Sequence, residues 1–149
     1  MFSFFTGRSN RQEYWISVVL LIVVAFTLTA LRMETASAAI TIMWIITWIR
    51  RLHDIGRPGW WAIMPIVLIV AVVMAGFSLG GEPLVKALAA IQAMDTSYAI
   101  PDRVAYVLFG IGLAAVIIQF GFTIWLGMKK GDSGNNRFGA PPEDIFKRS

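Results

Sequence analysis

Four stretches of this chain carry no charged residue: 14–31, 35–49, 58–81 and 104–128, of 18, 15, 24 and 25 residues. That feature restricts the fold more than any motif does. At about 1.5 Å per residue the runs make helices of roughly 27, 22, 36 and 37 Å, and about 20 apolar residues suffice to cross a bilayer. Within the hydrocarbon, only helices and closed barrels satisfy their own backbone. The expected fold is an all-α integral membrane protein with four transmembrane helices, at about 14–31, 35–52, 60–80 and 104–128. A cytoplasmic tail over 129–149 completes a single membrane domain. The second run is short and is expected to continue through Arg50 and Arg51, whose apolar stems let the charge snorkel to the headgroups. One helix over residues 14–49 would measure about 54 Å against a hydrocarbon core of roughly 30 Å. Arg32-Met33-Glu34 is therefore expected to be a tight turn.

Ten of the 13 Lys and Arg residues fall in alternate gaps. Arg8 and Arg11 precede the first run, Arg50, Arg51 and Arg57 separate the second from the third, and Lys129, Lys130, Arg137, Lys147 and Arg148 follow the fourth. The other two gaps hold three, Arg32, Lys86 and Arg103. The positive-inside rule then predicts an N-in/C-in topology. Trp15, Trp48, Trp60, Trp61 and Trp125 lie near the same cytoplasmic boundaries, where amphipathic rings collect, with Trp44 slightly deeper. The net charge of +4 sits at helix ends, so membrane lipids with anionic headgroups are the expected partner, at about 1 kcal/mol per Lys or Arg, and nucleic acid is not. There is no cysteine, which excludes disulfides, thiolate metal sites and thiol catalysis. Arg8, Arg11, the first run and Ala36-Ser37-Ala38 imitate a cleavable signal peptide. The run exceeds the usual 7–15 residues of such a segment, however, and Arg32 and Glu34 interrupt it, which disfavours cleavage.

Several local features refine this picture. Phe2, Phe4 and Phe5 form either an interfacial anchor or a frayed end. Pro65 inside the third helix is expected to free the carbonyl of Trp61 and produce a mild kink near the boundary. Gly76 and Gly80 form a Gly-x-x-x-Gly pair, a weak signal for close helix packing. Between the third and fourth helices, Leu84, Leu88 and Ile91 follow i, i+4, i+7 spacing, which predicts a short interfacial helix. Asp95-Thr96-Ser97 should stop it and Pro101-Asp102 should start the fourth helix. After Lys130 the turn formers Gly131, Gly134, Asn135, Asn136, Gly139, Pro141 and Pro142 predict a loop, ordered where it packs on the cytoplasmic face.

The four runs contain no Asp, Glu, Lys, Arg or His, which disfavours a proton- or ion-coupled transporter. Gln119 is the single amide deep in a helix and is expected to bond across a helix interface. Polar groups concentrate instead in the segment from Arg50 to Trp61. With the second helix continued, Arg50 and Arg51 precede Asp54 by four and three residues and Arg57 follows by three, so Asp54 can bridge to them. The functional reading is an anion site in which these arginines and His53 hold a lipid phosphate. Topology charge, one helix-end ion pair and an aromatic belt explain the same residues and, taken alone, weigh more. His53 is the only histidine, too few nitrogen ligands for a transition metal. Neither a nucleophile elbow nor a Walker loop is present, and Gly131-Asp132-Ser133-Gly134 follows a membrane helix rather than a strand, so no cofactor is expected.

Three segments in order resemble a known family. Gly7-Arg8-Ser9-Asn10-Arg11-Gln12-Glu13-Tyr14-Trp15 resembles its opening Gly-Arg-x-x-Arg-x-Glu-aromatic-Trp motif. Arg51-Leu52-His53-Asp54-Ile55-Gly56 with Gly59-Trp60-Trp61 resembles its central loop, and the stretch Gly134 to Pro142 resembles its closing Gly-x-Asn-x-Tyr/Phe-Gly-x-x-Pro tail, with Phe138 where Tyr is usual. The family is the bacterial inner-membrane group known as domain of unknown function 805. The resemblance implies a bacterial cytoplasmic membrane location and no specified activity. All three motifs fall on the predicted cytoplasmic side, so Arg8, Arg11, Glu13, Arg50, Asp54 and Asn136 are expected to cluster beneath the helices. With Arg51, His53 and Arg57 they are the candidate residues for binding an anion or a partner. The expected function is a non-enzymatic membrane module that binds anionic lipid or a partner protein through this face. The alternatives are an oligomeric transporter or channel component, and a lipid-modifying enzyme using His53 and Asp54.

Overall fold

A computed structural model of the chain describes residues 7–33 and 37–142. Among them are four α-helices and no strand: α1 (Arg11–Ala30), α2 (Ser37–Asp54), α3 (Met64–Gln92) and α4 (Asp102–Met128), with a 3-10 helix over Gly59–Ile63. Phe2, Phe4, Phe5, Glu34, Thr35, Ala36, Lys147 and Arg148 lie outside the described residues. Three helical stretches, Arg11–Ala30, Gly59–Gln92 and Asp102–Met128, are long and apolar enough to cross a membrane. They mark the chain as a membrane protein. α2 is less apolar, because Arg50, Arg51 and Asp54 occupy its last turn. Along α1, α3 and α4, large apolar side chains such as Val23, Phe26, Val67, Met74, Phe109 and Ile117 point outward, the inverse of a water-facing surface. The chain divides into two compact units, Met1–Ile63 with Thr123–Ser149, and Met64–Phe122.

In the first unit, Asn10 caps α1: its side-chain oxygen accepts from the Glu13 N–H at 2.8 Å. Ser17 and Thr27 return their hydroxyl protons to the carbonyls of Glu13 and Val23, at 2.8 and 2.9 Å, so these polar groups stay satisfied within an apolar helix. After α1 the chain turns at Arg32, whose φ of 54° is left-handed, and Met33 N–H bonds back to the Leu28 carbonyl. The expected turn begins there. The core of this unit is Tyr14 and Val18 of α1, Trp48 and Leu52 of α2, Ala62, and Leu126 near the end of α4. Thr123 ties it together: its carbonyl accepts from the Tyr14 hydroxyl at 2.8 Å, and its hydroxyl from Trp48 Nε1 at 3.2 Å.

The second unit corrects the reading of Pro65. Pro65 is not in mid-helix. The Gly59–Ile63 turn is 3-10, and Pro65 is the second residue of α3, where its missing N–H costs no intrahelical bond. The helix ends near residue 80, as the uncharged run predicts, and a second helical segment follows it. The break is at Gly81 (φ 56°, ψ −149°), a conformation side chains disfavour, and the second segment runs as far as Gln92. Pro83 then has no N–H for the carbonyl of Leu79, and Arg103 Nη2 supplies the missing donor at 3.0 Å. The segment after the break buries Leu84 and Ala87 against Val104, with Tyr98, Val107 and Leu108 around them. Leu88 and Ile91 face outward. Asp95 stops the chain as expected: its carboxylate accepts from the N–H and hydroxyl of Ser97, at 2.9 and 2.6 Å, which holds it below the usual carboxylate range.

Gly76 carries the small-residue packing inferred for this helix, since a Cβ there would run into Ile111 of α4, whereas a Cβ on Gly110 would meet nothing. Gly76→Leu is therefore expected to destabilise the protein by about 1–3 kcal/mol, and Gly110→Ala to stay within about 0.5 kcal/mol of wild type. Thermal unfolding of both variants in detergent checks the contrast.

Candidate functional site: a buried arginine clasp and its basic rim

The motif residues meet in the first unit. Asp54, the last residue of α2, lies beyond the uncharged run and is held by two arginines. Arg51 Nη1 is 2.5 Å from Oδ2, one turn back on the same helix, and Arg8 Nε and Nη2 both reach Oδ1 at 3.1 Å. The three side chains are only 0%, 1% and 4% exposed for Arg51, Arg8 and Asp54. Burial raises the Asp54 carboxyl above its ordinary value, with Arg51 and then Arg8 pulling it the other way.

The remaining arginine donors go to backbone carbonyls. Arg8 Nη1 bonds to Gly134 and Gly139 at 2.7 and 3.1 Å, and Nη2 to Asp132. Arg51 Nε bonds to Leu126 at 3.2 Å, Nη1 to Ser9 at 3.1 Å, and Nη2 to Lys129. Arg11 adds bonds to Lys129 and Met128 at 2.9 and 2.5 Å. The final carbonyls of α4, which lack helical donors, are thus covered by two guanidinium groups at the negative end of the helix dipole. A planar fork with five donors suits this work, and an ammonium does not.

The tail is threaded through the same network. Asp132 N–H bonds to the Asp54 carbonyl at 2.8 Å, and Asn136 Nδ2 donates at 2.9 Å to both the His53 carbonyl and the Asp132 carboxylate. Asn136 and Gly139 exchange backbone bonds of 3.1 and 3.0 Å, and the Phe138 ring stacks on His53 at 3.9 Å and 10°. Arg8, Arg51, His53, Asp54 and Asn136 therefore form one connected cluster. Glu13 and Arg50 sit at its edge, 3.8 Å apart. Arg57 stands apart. The helix ends before it, at Asp54, the chain turns at Gly56 with φ 70°, and the Arg57 guanidinium lies over Trp61, 5.0 Å from the ring centre, rather than on Asp54.

One expectation is overturned in detail. Arg51 does not snorkel outward but is buried, because Asp54 and three carbonyls match its charge where water would otherwise have to. Sequence reasoning also missed Ser9, Asp132, Gly134 and Leu126, which contribute through backbone groups that leave no side-chain signature. The π-stack of Phe138 on His53 was foreshadowed only by the aromatic position of the closing motif.

The clasp is chemically closed, with its two buried cations already committed. What it leaves facing outward in this unit is a basic rim: Arg11, Arg57, Lys129, Lys130 and Arg137 are exposed, with Lys129 over Trp125 and Arg137 over Phe138 at 5.6 and 4.7 Å. Beside the clasp is a recess of about 350 Å³ whose walls include Asn10, Arg11, Lys130, Asp132 and Pro142. Among the described residues, no group of three His, Asp or Glu side chains converges to hold a metal ion. A family described as Protein of unknown function (DUF805) matches residues 2–140. No curated protein and no solved structure matches the chain.

Proposed function

Since the chain belongs to the DUF805 family, whose description names no activity, we propose that it is a non-enzymatic bacterial inner-membrane protein that binds anionic lipid headgroups through its basic rim. The observation that carries this reading is the recess beside the clasp. Asp54 is neutralised by Arg8 and Arg51, and the Asp132 carboxylate is engaged by Asn136. Two arginines face the single Asp54 carboxylate, and Arg11 and Lys130 outnumber Asp132, so the recess carries surplus positive charge, which suits an anionic headgroup. In this reading the helices are four spans, N-in/C-in. α2 supplies the fourth span, with Asp54 beyond the end of that span at the cytoplasmic boundary. The meeting of residues 8–11, 50–57 and 129–139 in one unit supports placing those segments on one side.

The test is titration of nanodisc-embedded protein with phosphatidylglycerol, wild type beside Arg11→Gln/Lys130→Gln. Two lost cations at about 1 kcal/mol each predict roughly 30-fold weaker retention by native mass spectrometry. Equal retention in a folded double variant would remove the rim as the site.

A further inference from the structure

We propose a second lipid site in the Met64–Phe122 unit: a groove between α3 and α4 that seats one acyl chain of an anionic phospholipid, with the phosphate on Arg103. The inference rests on the membrane reading above but not on the basic rim. The groove encloses about 650 Å³, and its walls include Val72, Gly76 and Leu79 on α3 and Arg103, Val107 and Gly110 on α4. Each set repeats at three to four residues, so each is one face of its helix, and seven residues give a trough of about 10 Å.

Three features make it a seat for an amphiphile. Its floor is the close approach of Gly76 to Ile111, and its wall is open at Gly110, where a Cβ would meet no atom within 4 Å. Its lining is apolar except at one end. There Arg103 is anchored through Nη2 on the Leu79 carbonyl that Pro83 leaves without a donor, while the fork keeps further N–H groups for a bidentate anion. The nearby carboxylate of Glu82 is already paired with Lys86 at 2.8 Å, and Asp102 does not line the groove. A cation at one end of an apolar trough complements a phosphate joined to a hydrocarbon chain. It does not complement an apolar helix from a second copy, which would cover Arg103 without a counter-charge.

The full-length protein in phosphatidylcholine nanodiscs, doped with phosphatidylglycerol bearing a diazirine in its acyl chain, tests this. Photolabelling should map to peptides containing Val72–Leu79 and Arg103–Gly110 and be competed by unlabelled phosphatidylglycerol better than by phosphatidylcholine. Arg103→Gln should lower it about five-fold, and Gly110→Phe, which fills the trough, should reduce it to background. Arg11→Gln/Lys130→Gln should leave it unchanged, so failure of the rim and failure of the groove are separate results. Labelling that is insensitive to Arg103→Gln, or spread evenly over the outward faces of α1 and α3, overturns the site. Should Gly110→Phe fail to fold, Arg103→Gln decides alone.

Discussion

Asp54→Ala is expected to lower stability by about 3–5 kcal/mol, the largest loss for any single side chain here. The substitution leaves Arg8 and Arg51 buried, with only carbonyl dipoles against their two charges. It also cuts Arg8, and with it the Asp132, Gly134 and Gly139 carbonyls that Arg8 holds, from its side-chain tie to α2. The thermal midpoint in detergent should fall, and cleavage after Lys130 and Arg137 by trypsin should accelerate in the native protein. A midpoint within a degree or two of wild type, with unchanged cleavage, would show that the cluster does not hold the fold.

Arg8→Lys is expected to be nearly as damaging, although it keeps the charge. One ammonium cannot reach the Asp54 carboxylate together with the carbonyls of Asp132, Gly134 and Gly139, all of which the guanidinium spans. Losing two such bonds at about 1.5 kcal/mol or more each predicts roughly 3 kcal/mol. The loss should be local: amide exchange over 131–139 should speed up while the Tyr14–Thr123 bond keeps α1 in place. Because both substitutions strike one network, the Asp54→Ala/Arg8→Lys pair should cost less than the sum of the singles. Strict additivity would mean the two residues act separately.

The span-forming helices were legible because lipid demands long uncharged runs, and the continuation of α2 through Arg50 and Arg51 was legible because its uncharged run of 15 residues is too short to cross alone. The meeting of the three motifs was legible only through their resemblance to a family; spacing alone does not bring residue 8 to residue 139. What stayed hidden has a common cause. Arg8 and Arg51 are buried by backbone carbonyls distant in sequence, and any residue type has a carbonyl. The break after residue 80 was legible, since Gly81-Glu82-Pro83 carries the marks of a helix end, whereas the reach of Arg103 to the Leu79 carbonyl beside it was not. Gly76 was read correctly as a packing contact, while Gly80 lies against Leu84 of its own helix.

The clasp has a consequence for biosynthesis. Its parts come from residues 8–9, from the end of α2 and from 126–139, so it closes only after almost the whole chain has left the ribosome. Until then Arg8 and Arg51 share one carboxylate and lack most of their carbonyl partners. A chain truncated before Asp132, or one whose last helix is inserted the wrong way round, keeps two unmatched guanidinium groups, which a protease surveying the membrane can distinguish from a finished molecule.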